Sequence, residues 1–411
     1  MRALVGMAAL LALAWGLSEN RRAIPWRVVI GGLLLQAGLA VLLIYLPTAR
    51  RAVQALNEAV SALERATDAG TGFVFGYLGG GALPFAETHP GASFILAFKI
   101  LPLVLVISAL GALMFHWGVL QAVTKAFGWL LQRSLGIGGA LSLGAATHIF
   151  VGMVEAPLLI RPWLHRLQRG ELFAMMACGL AGIAGTVMVI YAGMLGPVIP
   201  NALGNILIAS VISTPAALAI AALMVPFGPS TADGDIVLPH KPTGSLDALV
   251  RGTLDGIPIM TGITAVLLVT VAIVTLVNMA LGLLPSWDAA PLTLQHIVAL
   301  PFRPVMYLIG IPWDEAGVAA ELMGSKTVLN EFVAYLGLAQ TAPEALSPQS
   351  RLILTYALCG FANFGSLGIM IGGMGAMVPE RRAEITGLGL RAILAGTMAT
   401  CSSGALAGLL A

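Results

Sequence analysis

Long apolar stretches constrain this chain more than any other feature. About eight of them recur along its 411 residues, and a helix needs roughly 20 apolar residues to cross a hydrocarbon layer about 30 Å thick. They lie near residues 3–17, 26–46, 93–115, 171–195, 203–226, 257–284, 350–375 and 384–409. Because only helices satisfy their backbone polar groups internally inside lipid, we predict an all-α polytopic membrane protein with about eight transmembrane helices. Arg2 precedes the first stretch as in a signal peptide, but no small-residue cleavage site follows, so we expect this stretch to be retained.

The composition excludes several classes of function. Only 10% of the residues are charged, whereas a soluble domain has about 25%. A net charge of +2 without a basic tail argues against nucleic-acid binding. The three cysteines form no CxxC or Cys/His cluster, and the chain contains no GxSxG, HExxH or P-loop motif. We therefore predict no metal, no cofactor and no enzyme activity.

Polar segments divide the chain into five predicted units. A helical spacing of apolar residues after the second span predicts an amphipathic helix at the membrane interface or against the helix bundle. A Gly/Pro/Ser-rich connection at 226–246 separates the two halves. The apolar positions of this helix are Val53, Leu56, Val60 and Leu63, and charges such as Arg50, Arg51, Glu58, Glu64 and Arg65 occupy its other faces. The units are the N-terminal helices (1–47), the interfacial helix with a following span (48–133), a first interrupted region (134–226), the polar loop with a span (227–292) and a second interrupted region (293–411). Positive charges flank several spans, so the orientation in the membrane stays open.

Two apolar segments are interrupted in a way that simple spans are not. Residues 134–168 contain Gly152, Glu155 and Pro157, and residues 293–335 contain several prolines followed by charged residues. Interrupted segments in corresponding positions of two halves indicate an inverted-repeat transporter whose substrate binds at mid-membrane. We therefore predict two re-entrant helical hairpins.

The carboxylates of these segments are the main candidates for function, because an ionisable group in a bilayer costs at least about 2.5–3.5 kcal/mol. Glu155 is predicted to bind a ligand, and the alternative is a carboxylate that caps a half-helix. Glu331 is a second candidate, since Lys326, five residues earlier, does not stack on its helix face. The alternative is an ion pair between Glu331 and Lys326, or one that involves Glu321.

For Asn363, Ser366 and His148 the sequence leaves both a structural and a functional role open. Asn363 and Ser366 share a helical face and serve either a ligand or hydrogen bonds between helices. His148 is either a packing residue or, with an ordinary pKa of about 6.5, a proton carrier. The glycines at 372, 373 and 375 indicate close helix packing rather than a nucleotide loop.

Three motifs in combination identify a family. HIFVGMVEAPLLIRP (148–162), GSKTVLNEFVAYL (324–336) and TYALCGFANFGSLGIMIGG (355–373) resemble the concentrative nucleoside transporters, the NupC-type bacterial nucleoside symporters, over roughly residues 90–405. The resemblance implies a homotrimer in the bacterial inner membrane, driven by a cation gradient. In each subunit a scaffold part (1–47, 48–133 and 227–292) would hold a transport part that moves as an elevator. This transport part would consist of two re-entrant hairpins and the partly unwound helices beside them, in a first transport repeat (134–226) and a second transport repeat (293–411).

The resemblance also implies roles for particular residues. Glu155, Glu331, Asn363 and Ser366 would hold the ribose, and Phe361 and Val187 would line the base pocket. Carboxylates and an amide suit the hydroxyl groups of a sugar, and apolar walls suit a flat base.

Three positions depart from the family pattern. Met153 and Val154 stand where the family commonly has Gln and Thr/Ser, side chains that contact the base, so a modified nucleoside or another polyhydroxylated metabolite is an alternative cargo. His148 stands where sodium-coupled members have an Asn. Hard cations prefer oxygen ligands, which favours proton over sodium coupling through His148 or through Glu155 itself. A remote alternative is an intramembrane enzyme with Glu155 and Glu331 as acid and base.

Overall fold

The structure is a computed structural model that describes residues 2–87, 93, 95–228, 242–284 and 292–411. Side chains at 49, 50, 52–54, 56, 57, 60 and 186 are not described, although these residues lie in helices. Within these ranges all regular secondary structure is helical. The predicted all-α membrane class is therefore confirmed.

The described residues form twelve α-helices in the first half of the chain. They are α1 (Arg2–Gly16), α2 (Trp26–Tyr45), α3 (Pro47–Phe75), α4 (Leu96–Lys99), α5 (Leu103–His116), α6 (Val119–Leu135), α7 (Gly139–Thr147), α8 (Glu155–Leu159), α9 (Arg161–Leu164), α10 (Arg169–Ala181), α11 (Gly185–Leu195) and α12 (Ala202–Met224).

Eight more follow in the second half. They are α13 (Ser245–Leu281), α14 (Leu294–Ala299), α15 (Phe302–Leu308), α16 (Ala316–Val328), α17 (Glu331–Gln340), α18 (Pro348–Ala357), α19 (Phe364–Met377) and α20 (Arg382–Leu410).

Five helical segments of the described chain are long and apolar enough to cross a membrane: Trp26–Tyr45, Leu96–His116, Ala202–Met224, Ser245–Leu281 and Pro379–Leu410. The stretches predicted at 171–195 and 350–375 are not continuous spans. Residues 182–184, the first break, separate α10 from α11, and residues 358–363, the second break, separate α18 from α19. Apolar periodicity does not report these breaks, because unwound segments buried in protein are as apolar as helices.

Each segment predicted to form a hairpin contains a helix pair, called hairpin 1 and hairpin 2 below. Their re-entry into the membrane stays a prediction. In hairpin 1, α7 and α8 are joined by a tip at residues 148–154. In hairpin 2, α16 and α17 are joined by Leu329 and Asn330, and the Asn330 side chain caps α17 by accepting a hydrogen bond from the Val333 N–H at 3.0 Å. Hairpin 2 begins later than predicted, because residues 294–308 form two separate short helices that pack on α16.

The helices pack in a grouping that composition did not indicate. α1 and α2 lie against α12 and α20, whereas α5 lies along α13. Small residues permit both contacts: a methyl group added at Gly32 on α2 would lie 2.6 Å from the Pro215 carbonyl oxygen on α12, and one at Gly252 on α13 would lie 2.6 Å from the Ser108 carbonyl oxygen on α5. The N-terminal helices predicted as scaffold thus pack with the helices of both predicted transport repeats, and the division into five units stays a prediction.

The interfacial helix is continuous as α3, but the side chains of Val53, Leu56 and Val60 lie outside the described residues. Leu63 packs against the core, and Glu58 is exposed. Of the polar connection at 226–246, residues 229–241 lie outside the described residues as well.

An ion cluster joins three helices at one end of the core. Glu19, between α1 and α2, accepts hydrogen bonds from Arg169 at the start of α10, 3.0 Å away, and from Arg391 on α20. The hydrogen bond from Arg169 is the main reason that the pKa of the Glu19 carboxyl lies below its usual value. This cluster fastens the N-terminal helices to α10 and α20.

Candidate functional site

The two breaks touch each other in the interior of the bundle. The Phe361 N–H donates to the Gly182 carbonyl oxygen at 3.2 Å, so the unwound backbone of one break satisfies that of the other. Gly360 allows this approach, because a methyl group there would lie 2.8 Å from the Leu180 carbonyl oxygen and 3.0 Å from that of Ala181. The crossing is therefore packed backbone against backbone.

Each hairpin tip contacts one of the breaks. At hairpin 1, the Phe150 carbonyl accepts a hydrogen bond from the Gly185 N–H at 3.2 Å, where α11 begins. At hairpin 2, the carboxylate of Glu331 meets Asn363, where α19 begins. The tips and breaks thus bring polar groups from both halves of the chain to one place.

Glu331 is the buried polar centre of this region, with 5% of its surface exposed. Its Oε1 accepts a hydrogen bond from the Tyr191 hydroxyl at 2.7 Å, and its Oε2 accepts one from Nδ2 of Asn363 at 2.8 Å. Asn363 is held in turn because its Oδ1 accepts the Ser366 N–H at 2.7 Å, which caps α19. Two donors from different helices therefore fix the orientation of the carboxylate.

The alternative of an ion pair between Lys326 and Glu331 is wrong. The Lys326 ammonium donates to the Ala357 carbonyl oxygen at 2.8 Å and to the Thr400 hydroxyl at 3.3 Å. Glu321 lies near His296 instead, at 3.7 Å. The oxygens of Glu331 are thus paired with neutral donors only among the described residues.

A cavity of about 1700 Å³ adjoins this centre. All eight residues predicted to bind substrate line it: Met153, Val154, Glu155, Val187, Glu331, Phe361, Asn363 and Ser366. Glu155 is exposed to the cavity, and its carboxylate lies over Gly152, where a side chain would collide with it. The carboxylates of the two hairpins therefore converge on a shared cavity.

Val154 has a second contact that explains one of the glycines. A methyl group added at Gly373 on α19 would lie 2.7 Å from a Val154 methyl carbon. Close packing is therefore the structural reason for Gly373, and Gly375 lies close to Arg382 as well. For Gly372 the prediction of close packing is wrong, because an added methyl group would meet no neighbouring atom within 4 Å.

His148 does not line the cavity. Its ring is buried behind the tip of hairpin 1, near Gly179 and Met370, and only 3% of the residue is exposed. Neither ring nitrogen has a hydrogen-bond partner among the described residues, nor does the hydroxyl of Ser210. Its predicted role in cation coupling stays a prediction.

Sequence reasoning missed Tyr191, which contacts Glu331 directly. Its ring packs against Tyr335, with centroids 5.0 Å apart, and against Phe332, 6.1 Å away. Tyr191 follows Val187 by four residues and therefore lies on the same face of α11. The position of the Tyr191 phenol, one helical turn after the predicted pocket residue Val187, could have indicated this contact.

Removal of the Tyr191 hydroxyl is expected to weaken ligand binding. In Tyr191→Phe the ring contacts persist, but Glu331 loses one of its two fixed donors. Hydrogen bonds to charged groups contribute about 1.5–3 kcal/mol, so we expect roughly a tenfold loss of affinity, measured by titration calorimetry on the purified protein. Tyr77→Phe, at an exposed tyrosine outside the site cavity, is the control, and equal affinities for both variants would contradict the role of Tyr191.

The arrangement suits a neutral ligand with several hydroxyl groups. Carboxylates accept hydrogen bonds from hydroxyls, and amide and hydroxyl groups donate to them or accept from them. Phe361 and Val187 add apolar wall. No group of three or more His, Cys, Asp or Glu side chains within the described ranges could hold a metal ion.

Three family profiles match parts of this chain. The profile "Na+ dependent nucleoside transporter C-terminus" matches residues 205–408, its N-terminal counterpart matches residues 5–78, and a "Nucleoside recognition" profile matches residues 97–198. An uncharacterized transporter of Haemophilus influenzae is 39% identical over 100% of this chain and 97% of its own. The nucleoside permease NupC of Helicobacter pylori is 33% identical over 98% of this chain and 96% of its own. A solved structure of CNTnw in an inward-facing substrate-bound state is 38% identical, covers 99% of this chain and 98% of that one, and has a TM-score of 0.89.

Proposed function

The chain belongs to the concentrative nucleoside transporter family, and from this premise we propose that it is a symporter that imports nucleosides across the bacterial inner membrane. The family consists of transporters and not of enzymes, so the hypothesis of an intramembrane enzyme is wrong. The observation that carries the proposal is the carboxylate of Glu331, held by Tyr191 and Asn363 at the wall of the cavity.

Sugar recognition follows from the donors and acceptors at this wall. Glu331 and Asn363 are held in position by their own hydrogen bonds, and Ser366 lies one turn further along α19. Such fixed groups bind ribose hydroxyls without losing side-chain freedom on binding. Glu155, on hairpin 1, also lines the cavity and would accept further hydrogen bonds from the ligand.

The residues expected to contact the base, Met153 and Val154, differ from the family pattern. Met153 and Val154 line the cavity with a thioether and an alkyl group, which cannot form the paired hydrogen bonds of an amide. This favours a second candidate cargo, a modified nucleoside or another polyhydroxylated metabolite. A competition panel of uridine, adenosine and base-modified analogues against labelled substrate distinguishes the two.

We propose that protons rather than sodium ions drive uptake. The imidazole of His148 lacks the oxygen that a hard cation prefers, and it lies at the start of the hairpin 1 tip, close to Phe150 and Met153. A proton on this ring adds charge to a buried site, which changes the position of a tip that reaches both the first break and the cavity. Glu155, at the cavity itself, is the second candidate to carry the proton.

For the conformational cycle we propose an elevator in a homotrimer. α5 and α13 pack mainly on each other, so they are the candidate static part. α1 and α2 pack on α12 and α20, and we therefore propose that they move with the hairpins instead of belonging to the predicted scaffold. α13 also exposes large apolar residues such as Leu268, Leu276 and Met279. Lipid or a neighbouring subunit would cover these side chains.

Ion coupling is tested with proteoliposomes under separately imposed gradients. An inward proton gradient without sodium is expected to accumulate labelled nucleoside, and His148→Asn is expected to lower this accumulation several-fold while exchange of nucleoside between the two sides persists. Glu344→Gln, at an exposed position, serves as the control. Accumulation that follows the sodium gradient and ignores the proton gradient would overturn proton coupling and leave nucleoside transport intact.

A further inference from the structure

Lys326 is a buried charge that the proposed transport mechanism does not use. It lies on α16 in the first arm of hairpin 2, and none of its surface is exposed. A charged side chain inside a membrane protein is costly and persists where it has a partner or a task. Its partner is not a carboxylate, since its ammonium donates to the Ala357 carbonyl oxygen at 2.8 Å and to the Thr400 hydroxyl at 3.3 Å.

The Ala357 carbonyl is a place where a positive charge is stabilised. Ala357 is the last residue of α18, and the second break follows it directly. The last carbonyls of a helix lack partners within the helix and carry partial negative charge. Thr400, on α20, donates its own proton to the Thr397 carbonyl at 3.1 Å, so its oxygen is free to accept from the ammonium.

Hairpin 2 thus holds the second break at both ends. Lys326 binds its beginning at Ala357, and Glu331 binds its end at Asn363 through a hydrogen bond of 2.8 Å. A third contact comes from Tyr335 on α17, whose hydroxyl donates to the Thr355 carbonyl at 2.8 Å. Three hydrogen bonds from one hairpin therefore fix where α18 stops and where α19 starts.

We infer that Lys326 is a positioning residue for sugar recognition: by holding the end of α18, it sets the place of Asn363 relative to Glu331. The inference rests on the proposed function, because it needs these two groups to bind the ribose. Without the ammonium, the buried Ala357 carbonyl loses its charged donor, and the second break loses one of the three hydrogen bonds that hairpin 2 makes around it. Asn363 then shifts relative to the carboxylate that it orients.

The test separates sugar recognition from overall stability. Affinities for a ribonucleoside and for its 2′,3′-dideoxy analogue are measured by titration calorimetry on the purified full chain, and their ratio is compared between variants. We expect the wild type to favour the ribonucleoside and Lys326→Met to reduce this ratio about tenfold, the scale of one well-placed hydrogen bond to a charged group. Lys326→Gln keeps a neutral donor and is expected to recover part of the ratio, whereas Lys125→Met, on the exposed surface of α6, leaves it unchanged.

The outcomes that contradict the inference are distinct. Lys326→Met with a lowered melting temperature but an unchanged ratio shows a role in stability alone and overturns it. If this variant does not fold, Thr400→Val removes only the weaker acceptor and is expected to lower the ratio by a smaller factor, so that an unchanged ratio there overturns the inference too. A wild type that binds no nucleoside overturns the proposed function, and one that binds both ligands equally overturns the sugar contacts and the role of Lys326 together.

Discussion

Glu331→Gln is expected to abolish nucleoside uptake. The glutamate accepts hydrogen bonds from Tyr191 and Asn363 through its two oxygens, but a glutamine offers one oxygen and one NH₂ group. If the NH₂ group faces Tyr191, the tyrosine hydroxyl accepts instead of donating, so this pair keeps a hydrogen bond of the opposite direction. One acceptor for sugar hydroxyls and the negative charge that strengthens those hydrogen bonds are lost. Together these changes cost about 3 kcal/mol, roughly a hundredfold in affinity, and are measured as uptake into proteoliposomes and as binding to the purified protein.

The control for this variant lies on the same hairpin. Glu321→Gln makes the same chemical change on α16, where the carboxyl side chain is 61% exposed, and is expected to retain uptake. Glutamine is easier to bury than a carboxylate, so we expect Glu331→Gln to fold at least as well as the wild type. Uptake by Glu331→Gln at the rate of Glu321→Gln would remove the main support for sugar binding at this site.

Gly360→Ala is expected to damage both stability and transport. The added methyl group would lie 2.8 Å from the Leu180 carbonyl oxygen and 2.9 Å from a Thr400 methyl carbon. The first neighbour is backbone, so the two breaks must move apart, and overpacking of this kind costs about 1–3 kcal/mol. We expect a lower melting temperature in detergent and loss of uptake, because the hydrogen bond from Phe361 to Gly182 and the pocket wall beside it are displaced.

Gly368→Ala is the matched control for this change. It adds the same methyl group on α19, eight residues later, where no atom lies within 4 Å. Alanine is the better helix former, so this variant is expected to be as stable as the wild type or more so, with normal uptake. Equal melting temperatures for the two alanine variants would show that the crossing of the breaks is not tightly packed.

Several site residues could be predicted because ionisable groups are rare in apolar segments. Glu155 and Glu331 were selected by the cost of burying a charge in a bilayer. The shared helical face of Asn363 and Ser366 left a ligand or hydrogen bonds between helices open, and the family resemblance favoured the ligand and added Phe361 and Val187. The structure brings all six to one cavity. Tyr191 could not be selected in this way, because a tyrosine in an apolar span is equally consistent with a core position or an interface anchor.

The sequence did not predict which groups the Lys326 side chain contacts. Lys326 and Glu331 lie close together in sequence with opposite charge, which made an ion pair a reasonable alternative. The structure turns the ammonium towards Ala357 and Thr400 instead, since the end of α18 provides a buried carbonyl that needs a donor. This end exists only because the helix breaks, and the break is not visible in the apolar pattern.

By itself, the amino-acid sequence determined that this chain spans a membrane with helices, and that two carboxylates lie in apolar segments where an ionisable group is costly. These properties are local, because hydrophobic length and the cost of burying charge depend on the residues of one segment. Only the tertiary structure decided where the helices break, that α1 and α2 pack with α12 and α20 rather than with α5 and α13, and which groups each buried polar atom meets. Such properties depend on hydrogen bonds and close contacts between separate segments. Some of these segments lie more than a hundred residues apart, as in the contacts of Tyr191 with Glu331 and of Gly182 with Phe361.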